Sequence, residues 1–584
     1  MNHPEGGIME VDRRSFLKGG ALAASAAALT MAGTGLMGCS APKQDNSLSS
    51  TGPNAGASVK LPDGLVMSDI EQSCVELEPI SEFAAEETYD IVVVGAGCAG
   101  VPATLTALEE GATVGVLQKE ADASANGNGA SAVILGQSDT AAVKRWMADW
   151  AKENKWRLNN ELFQYYVDHS EDTLSWIIQQ GDSVDFSPAS YKTSASIIYD
   201  DGTRIATYEA SSPSNDELMK KLIVKAQDLG AVVHFNTPAV QIVQDDNGRV
   251  TGVIGKNENG DYIKMNANVA VIMAAGDYMN NDSLTDRYCP DPVDLYRKQT
   301  NRTGDGHILS SMAGGRIVRG MHPKMCHDLQ CSAFTFMATP LLALDPQGKR
   351  FFNEECVLTS WSTIMMYHYK DEQPIMYRFF DSEYAEKYEG VGQIPPLDTL
   401  EANVVGVTDN PQRRIFKGNT IEEICEQLDL DSATFKASIE AYNEMCRAGR
   451  DDEFGKDAKY MQTVETAPFY CIETKPGLSA IDGGVYVDEH YQVIDADDNP
   501  IEGLYAAGVN AGNLCGGVDW AMPGGSSNCH CFNAGRYTVI HALTGGLEPT
   551  NKCTFDQVAD RFVGEDGKFI WEKPGECRNA IEIW

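Results

Sequence analysis

Three groups of residues in this 584-residue chain have types and spacings that could do chemistry. Val92-Val93-Val94-Gly95-Ala96-Gly97-Cys98-Ala99-Gly100 is an apolar run that breaks into glycines at the spacing of a diphosphate cradle. Gly95 permits a tight turn, Gly97 lets a pyrophosphate approach the backbone, and Gly100 lets the next helix pack on the strand, with Ala96, Cys98 and Ala99 completing the turn. His322-Pro323-Lys324-Met325-Cys326-His327-Asp328 sets two imidazoles within six residues of each other. Histidine exchanges protons near neutral pH, and Asp328 or a backbone carbonyl would fix its tautomer. Asp519 precedes Trp520, joining a carboxylate to an indole N–H that donates a hydrogen bond but cannot act as an acid. Nucleotide binding and proton transfer are therefore the chemistries on offer. Fifteen cysteines form no Cys-x-x-Cys pair and no haem-attachment Cys-x-x-Cys-His, and Cys529-His530-Cys531 is poorly spaced for one tetrahedral metal, so no metal centre is expected.

The elements that must position these groups are legible around them. Asp90 to Val94 reads as a buried parallel strand, followed by the glycine turn and a helix through Glu110, whose N-terminus faces the phosphates. A second strand, Thr113 to Leu117, ends at Gln118-Lys119, where an acidic residue usually holds ribose hydroxyls. Thr140 to Gln180 has helical periodicity, with Trp146, Trp150, Leu162, Tyr166 and Leu174 as core candidates. Residues 1–39 read as an export signal. Asp12-Arg13-Arg14-Ser15-Phe16-Leu17-Lys18 is a twin-arginine motif, an apolar small-residue stretch follows, and Leu36-Met37-Gly38-Cys39 resembles a lipobox. Residues 40–86 read as a linker. The expected location is the cell envelope, lipid-anchored on the outer side of the cytoplasmic membrane. A net charge of -38 argues against nucleic acid and against charge-driven binding to anionic lipid, and suits a basic redox partner.

Six further segments resemble, in order, the family of the fumarate reductase flavoprotein subunit, which also contains ketosteroid dehydrogenases and urocanate reductases. They are Phe235 to Val240 with the hairpin Asp246 to Val253, Val271-Ile272-Met273-Ala274-Ala275-Gly276, Thr303-Gly304-Asp305-Gly306-His307, Gly348 to Glu354, Gly503 to Gly508, and Pro523-Gly524-Gly525-Ser526-Ser527. The resemblance implies FAD as cofactor and an α/β fold, a Rossmann-like FAD-binding domain with an inserted α+β capping domain. The FAD-binding domain would comprise residues 87–318 and 472–550, the cap 319–471, and a C-terminal tail 551–584. Cofactor contacts are expected at the glycine turn, Gln118, Lys119, Gly127, Gly129, Val240, Ala275, Gly276, Gly304, Asp305, Gly306, Gly508, Val509, Gly524, Ser526 and Ser527. The helix opened by Gly524 would face the flavin's N1/O2 edge, where reduced flavin gathers negative charge.

The catalytic positions of that family are not kept. Its proton-donating arginine falls on Leu358, its substrate histidine on Ala480 and its carboxylate-binding arginine on Met522, all apolar here. Fumarate reduction is therefore not expected. The ketosteroid dehydrogenase tyrosine that polarises a keto group falls on Trp520. The expected acid becomes His322 or His327, then Asp519, with Tyr191 and Tyr199 behind. The expectation is an exported FAD oxidoreductase that reduces an activated C=C bond of a small enone or enoate. Its electrons would come from a membrane-bound cytochrome or a quinol-linked donor. A ketosteroid-type dehydrogenase, and an electron-transfer or ligand-binding lipoprotein without catalysis, are the alternatives.

Overall fold

The computed structural model describes residues 60–563, apart from 189, 193–196, 199–202, 212–213, 293–294, 329–338, 357, 370–373, 390–393, 408–413, 513, 515–518 and 521. The signal, Tyr199, Cys515 and residues 564–584 lie outside the described residues.

The apolar run before the glycine turn is the centre of the main sheet. Strand β1 (Ala85–Val94) pairs in parallel with β2 (Val114–Leu117) on one side and with β6 (Tyr262–Met273) on the other. The order continues outward to β3 (Val232–His234) at one edge. At the other edge lie β14 (Pro500–Ala506) and β13 (Gln492–Ile494). Strands β4 (Ala239–Gln244) and β5 (Val250–Lys256) form an antiparallel flap on β6. Ile91, Val92 and Val93 are fully buried, as a strand covered on both faces requires, and each stabilises the fold by roughly 1.5–3 kcal/mol.

Two helices cover the face nearest the turn. Helix α1 (Gly100–Glu109) follows it directly, and α5 (Ser526–Thr544) crosses α1 so closely that a Cβ on Gly535 would stand 2.0 Å from the Ala99 carbonyl oxygen. Helix α2 (Asn160–Asp182) is capped by the Asn159 side chain, which accepts from the N–H groups of Glu161 and Leu162. The five core candidates of this region are all buried.

Between β6 and β14 the chain builds a second, four-stranded antiparallel sheet. Its order is β8 (Leu342–Leu344), β9 (Met376–Asp381), β11 (Phe469–Thr474), β10 (Ile415–Gly418). This sheet falls in the interval expected for the cap. The strand that leaves the first domain, β7 (Lys324–Asp328), and the one that returns, β12 (Pro476–Ile481), pair antiparallel with each other at the seam. From Leu61 onward the described residues pack as one compact unit.

One expectation needs correction. The interval 40–86 is not a linker throughout: from residue 61 it is an ordered arm, with Leu65, Ile70 and Val75 buried, Asp69 paired to Arg287 and Glu76 paired to Lys256. The described part of the tail packs on the body through buried Phe555 and Phe562. Phe555 packs edge-on against Tyr208 at 4.8 Å, and the Cys553 N–H donates to Asp172 at 2.6 Å.

Candidate active site

The glycines of the turn are there because nothing larger fits. Gly95 has φ +103° and an added Cβ would lie 2.4 Å from the Ala274 carbonyl oxygen, while a Cβ on Gly100 would lie 1.8 Å from that of Gly95. Gln118 differs from its expected part. Its Oε1 accepts from the Ala96 N–H at 3.1 Å and its Nε2 donates to the Asp122 carbonyl at 2.7 Å, so it braces the turn against β2. Lys119 donates to Thr303 Oγ1 at 2.6 Å and to Asp305 Oδ2 at 2.9 Å, tying the end of β2 to the first turn of helix α3 (Asp305–Met312).

Two residues that the sequence reading passed over complete this half. Asn510 is fully buried; its Oδ1 accepts from the Ala275 N–H at 2.9 Å, and a Cβ on Gly306 would come within 2.2 Å of it. It thereby joins the Ala275-Gly276 turn, the Gly304-Asp305-Gly306 turn and the turn at Gly508. The Arg302 guanidinium lies against Gly276, whose Cβ would meet Nη1 at 2.8 Å, and Nη2 donates weakly to the Ser124 carbonyl at 3.4 Å. Gly127 (φ +79°) presses on the Asn528 side chain, and Asn528 Nδ2 donates to the Gly129 carbonyl at 2.7 Å. Ser131 donates to the Gly524 carbonyl at 2.6 Å, fixing the entry to α5. The first turn of α5, with Ser526 and Ser527, carries N–H groups that have no intrahelical partner. Val240 is buried and Val509 half-buried beside these turns.

The proposed acids separate. His322 is 1 % exposed, stacks on Tyr288 at 4.9 Å, and uses both ring nitrogens within the protein. Nε2 donates to the Val318 carbonyl at 2.7 Å, which leaves Nδ1 to accept from the Tyr278 hydroxyl. Burial pushes it down to about 4. It is a neutral core histidine with no proton to offer. His327 lies on β7 opposite Gly477, and its side chain, like that of Tyr191, is outside the described residues.

Asp519 stands elsewhere, in a charged cluster that the sequence reading missed. Lys324, only 1 % exposed, places Nζ 3.0 Å from Asp519 Oδ1 and 3.0 Å from Asp291 Oδ2. Thr363, on helix α4 (Leu358–Tyr369) of the cap, donates its hydroxyl to the same Oδ1 of Asp519. Trp520 donates its backbone N–H to the Lys324 carbonyl at 3.0 Å. Its indole Nε1 is buried without a hydrogen-bond partner among the described residues. Met325, next to Lys324, is the cross-strand partner of Ala480, and Met522 is buried two residues beyond Trp520. The visible signal was a lysine between two histidines, at a buried position of a strand.

A parallel sheet with a glycine cradle at its carboxyl edge, a second helix N-terminus entered through Gly524 and an inserted antiparallel sheet define a dinucleotide-binding oxidoreductase. The FAD binding domain family (FAD_binding_2) matches residues 90–529, and the chain belongs to it. The protein is an FAD-dependent oxidoreductase. The glycine cradle and the two helix N-termini fit FAD, and bound there it supplies two-electron transfer.

Among relatives, a vinyl phenol reductase of Lactiplantibacillus plantarum is 28% identical over 489 residues, covering 79% of this chain and 97% of its own. A urocanate reductase of Eggerthella lenta is 26% identical, covering 73% and 70%. In solved structures the fold is shared with an open-conformation flavocytochrome c3 fumarate reductase, at TM-score 0.61, 23% identity and 79% coverage of each chain.

Proposed function

We propose that this protein reduces an activated C=C bond in an uncharged or aromatic conjugated substrate carrying a neutral oxygen acceptor, and does not reduce fumarate. The observation that carries this reading is the indole N–H of Trp520, a buried donor without a partner among the described residues, two positions before the buried, apolar Met522. A buried donor left unpaired costs about 1–3 kcal/mol, which a substrate carbonyl or phenol oxygen would recover. A dicarboxylate would instead meet apolar side chains at Ala480 and Met522, losing charge-assisted bonds of roughly 1.5–3 kcal/mol each. The reductases of vinyl phenol and urocanate among the relatives support the reaction class.

Export and anchoring at the cell envelope are part of the proposal, on the strength of the Arg13-Arg14 motif and Cys39. So is a separate electron donor, a membrane-bound cytochrome or quinol-linked protein, since the sequence carries no Cys-x-x-Cys-His of its own.

Anaerobic reoxidation tests the reading. Flavin reduced by dithionite is mixed with vinyl phenols, cinnamates, cyclic enones, urocanate and fumarate while the oxidised-flavin absorbance is followed. A neutral enone or vinyl phenol is expected to reoxidise the flavin at least 100-fold faster than fumarate. In Trp520→Phe the concentration of that substrate giving half-maximal rate should rise three- to tenfold. Fast reoxidation by fumarate, or by no alkene at all, would sink the proposal.

A further inference from the structure

Saturating a C=C bond takes one hydride and one proton, and the site as described so far accounts for no proton. Both ring nitrogens of His322 are engaged inside the core, so the source lies elsewhere. We propose that Lys324, together with Asp519 and Asp291, forms the relay that delivers the proton to the substrate carbon; this rests on the reductase reading above.

The placement argues for it. Lys324 begins the strand whose next residue, Met325, pairs with Ala480; Asp519 adjoins Trp520, whose indole has no partner among the described residues; and Thr363 reaches Asp519 from the cap. Two separate stretches of chain thus meet the ammonium of Lys324, and a third reaches its partner Asp519 from the cap. Stability alone is a poor reason for such a cluster, because a buried ion pair is commonly no better than apolar residues of the same volume. Two carboxylates on one ammonium also leave a net negative charge at the seam.

The groups facing Lys324 are consistent with a relay. Burial draws its ammonium down, yet Asp519 and Asp291 more than offset this and raise it, so the proton is present at neutral pH. The neighbouring thiols do not compete: burial pushes Cys289 up to about 12 and Cys326 well above its ordinary value.

The hydride's electron pair forms the C–H bond at one alkene carbon, and the π pair collects on the other. A proton passes from Lys324 Nζ to Asp519 along their 3.0 Å hydrogen bond, breaking N–H and forming O–H. The Asp519 O–H then breaks as the second C–H forms. An enolate-like carbon is a far stronger base than an amine, which draws both transfers forward. The amine of Lys324 recovers a proton from solvent through Asp291, whose side chain is partly exposed and hydrogen-bonded to Nζ.

The test uses the FAD-loaded full chain, reduced anaerobically and mixed with the best alkene of the panel or with ferricyanide. Asp519→Asn keeps the Lys324–Asp291 pair and is expected to slow reoxidation by the alkene 10²- to 10⁴-fold, the usual span for loss of a general acid. Reoxidation by ferricyanide, which needs no proton at carbon, should stay within twofold. Should Asp519→Asn fail to fold, the uncharged triple variant Asp291→Asn/Lys324→Met/Asp519→Asn carries the same expectation. Alkene reoxidation within threefold of the parent in either variant, with an unaltered pH profile, overturns the relay. Equal slowing with both oxidants marks a structural role and overturns it too. A parent protein that no alkene reoxidises overturns the reductase reading instead, before any variant is made.

Discussion

Gly100 has no room for a methyl group: it would press on the Gly95 carbonyl at 1.8 Å, backbone against backbone. Gly100→Ala is therefore expected to lose cofactor before anything else, and the ratio of flavin to protein absorbance after purification should fall at least tenfold. This requirement was legible, because a glycine at that spacing has few other uses. His322 was not legible in the same way. A sequence shows an imidazole; it does not show that a carbonyl and a tyrosine hydroxyl occupy both nitrogens. His322→Phe should lower stability by roughly 1–3 kcal/mol through the polar partners left behind, and leave the pH dependence of alkene reoxidation unchanged. Denaturant melts and stopped-flow profiles of the same variant check the two halves. Lys324 was hidden for the opposite reason: lysines are normally solvated, and only the fold reveals that Asp291 and Asp519, 33 and 195 residues away, enclose this one.

Elements differ in how plainly they announce themselves. The first βαβ unit was readable from Asp90 onward, because a run buried on both faces followed by a glycine turn has a single structural use, but β1 begins five residues earlier, at Ala85, where that burial is incomplete. The cap was readable only as an insertion, since its strands are three to six residues long and draw their apolar faces from distant partners. What holds it is a bracket that sequence spacing cannot display. Arg350, 3 % exposed in its side chain, forks onto Glu354 at 2.8 Å and Asp451 at 3.0 Å, and its guanidinium lies against the rings of Tyr442 and Phe454. Arg350→Met would leave buried Asp451 without its cation and Glu354 with only Lys456 at 3.5 Å, and about 3–5 kcal/mol should be lost. Burial pulls the Asp451 carboxyl up, but Arg350 and the N–H groups of Glu453, Lys456 and Phe454 more than offset that and hold it well below the usual range. Its contribution is therefore complete above about pH 4 and disappears as the pH falls below that. Proteolysis across residues 319–471 at pH 7 would show whether the cap opens first in the variant, and acid unfolding followed below about pH 4 would show the parent losing the same contribution.

The whole molecule titrates earlier than its carboxylates do. Burial holds His322 and His169 down to about 4, and His307 and His530 down to about 3. With the unfolded value near 6.5, the folded state binds fewer protons, so their stabilisation is full above about pH 6.5 and drains away as the pH falls from there. Asp277, raised by burial, acts in the opposite sense. Melting temperature should thus decline between pH 6.5 and 5 in a thermal scan. The net charge of -38 makes a second global prediction: reduction by a cationic viologen radical should slow as salt is added, and reduction by anionic dithionite should quicken. Finally, the sheet is finished late. Strand β14 slots beside β6, whose partner residues were made more than two hundred positions earlier, and α5 then sets Gly535 on Ala99. During synthesis the early βαβ unit must wait, its edge uncovered, until almost the entire polypeptide has left the ribosome. Flavin can enter only a finished chain, so an arrested nascent polypeptide ending before residue 500 should capture none, whereas one released after residue 563 should.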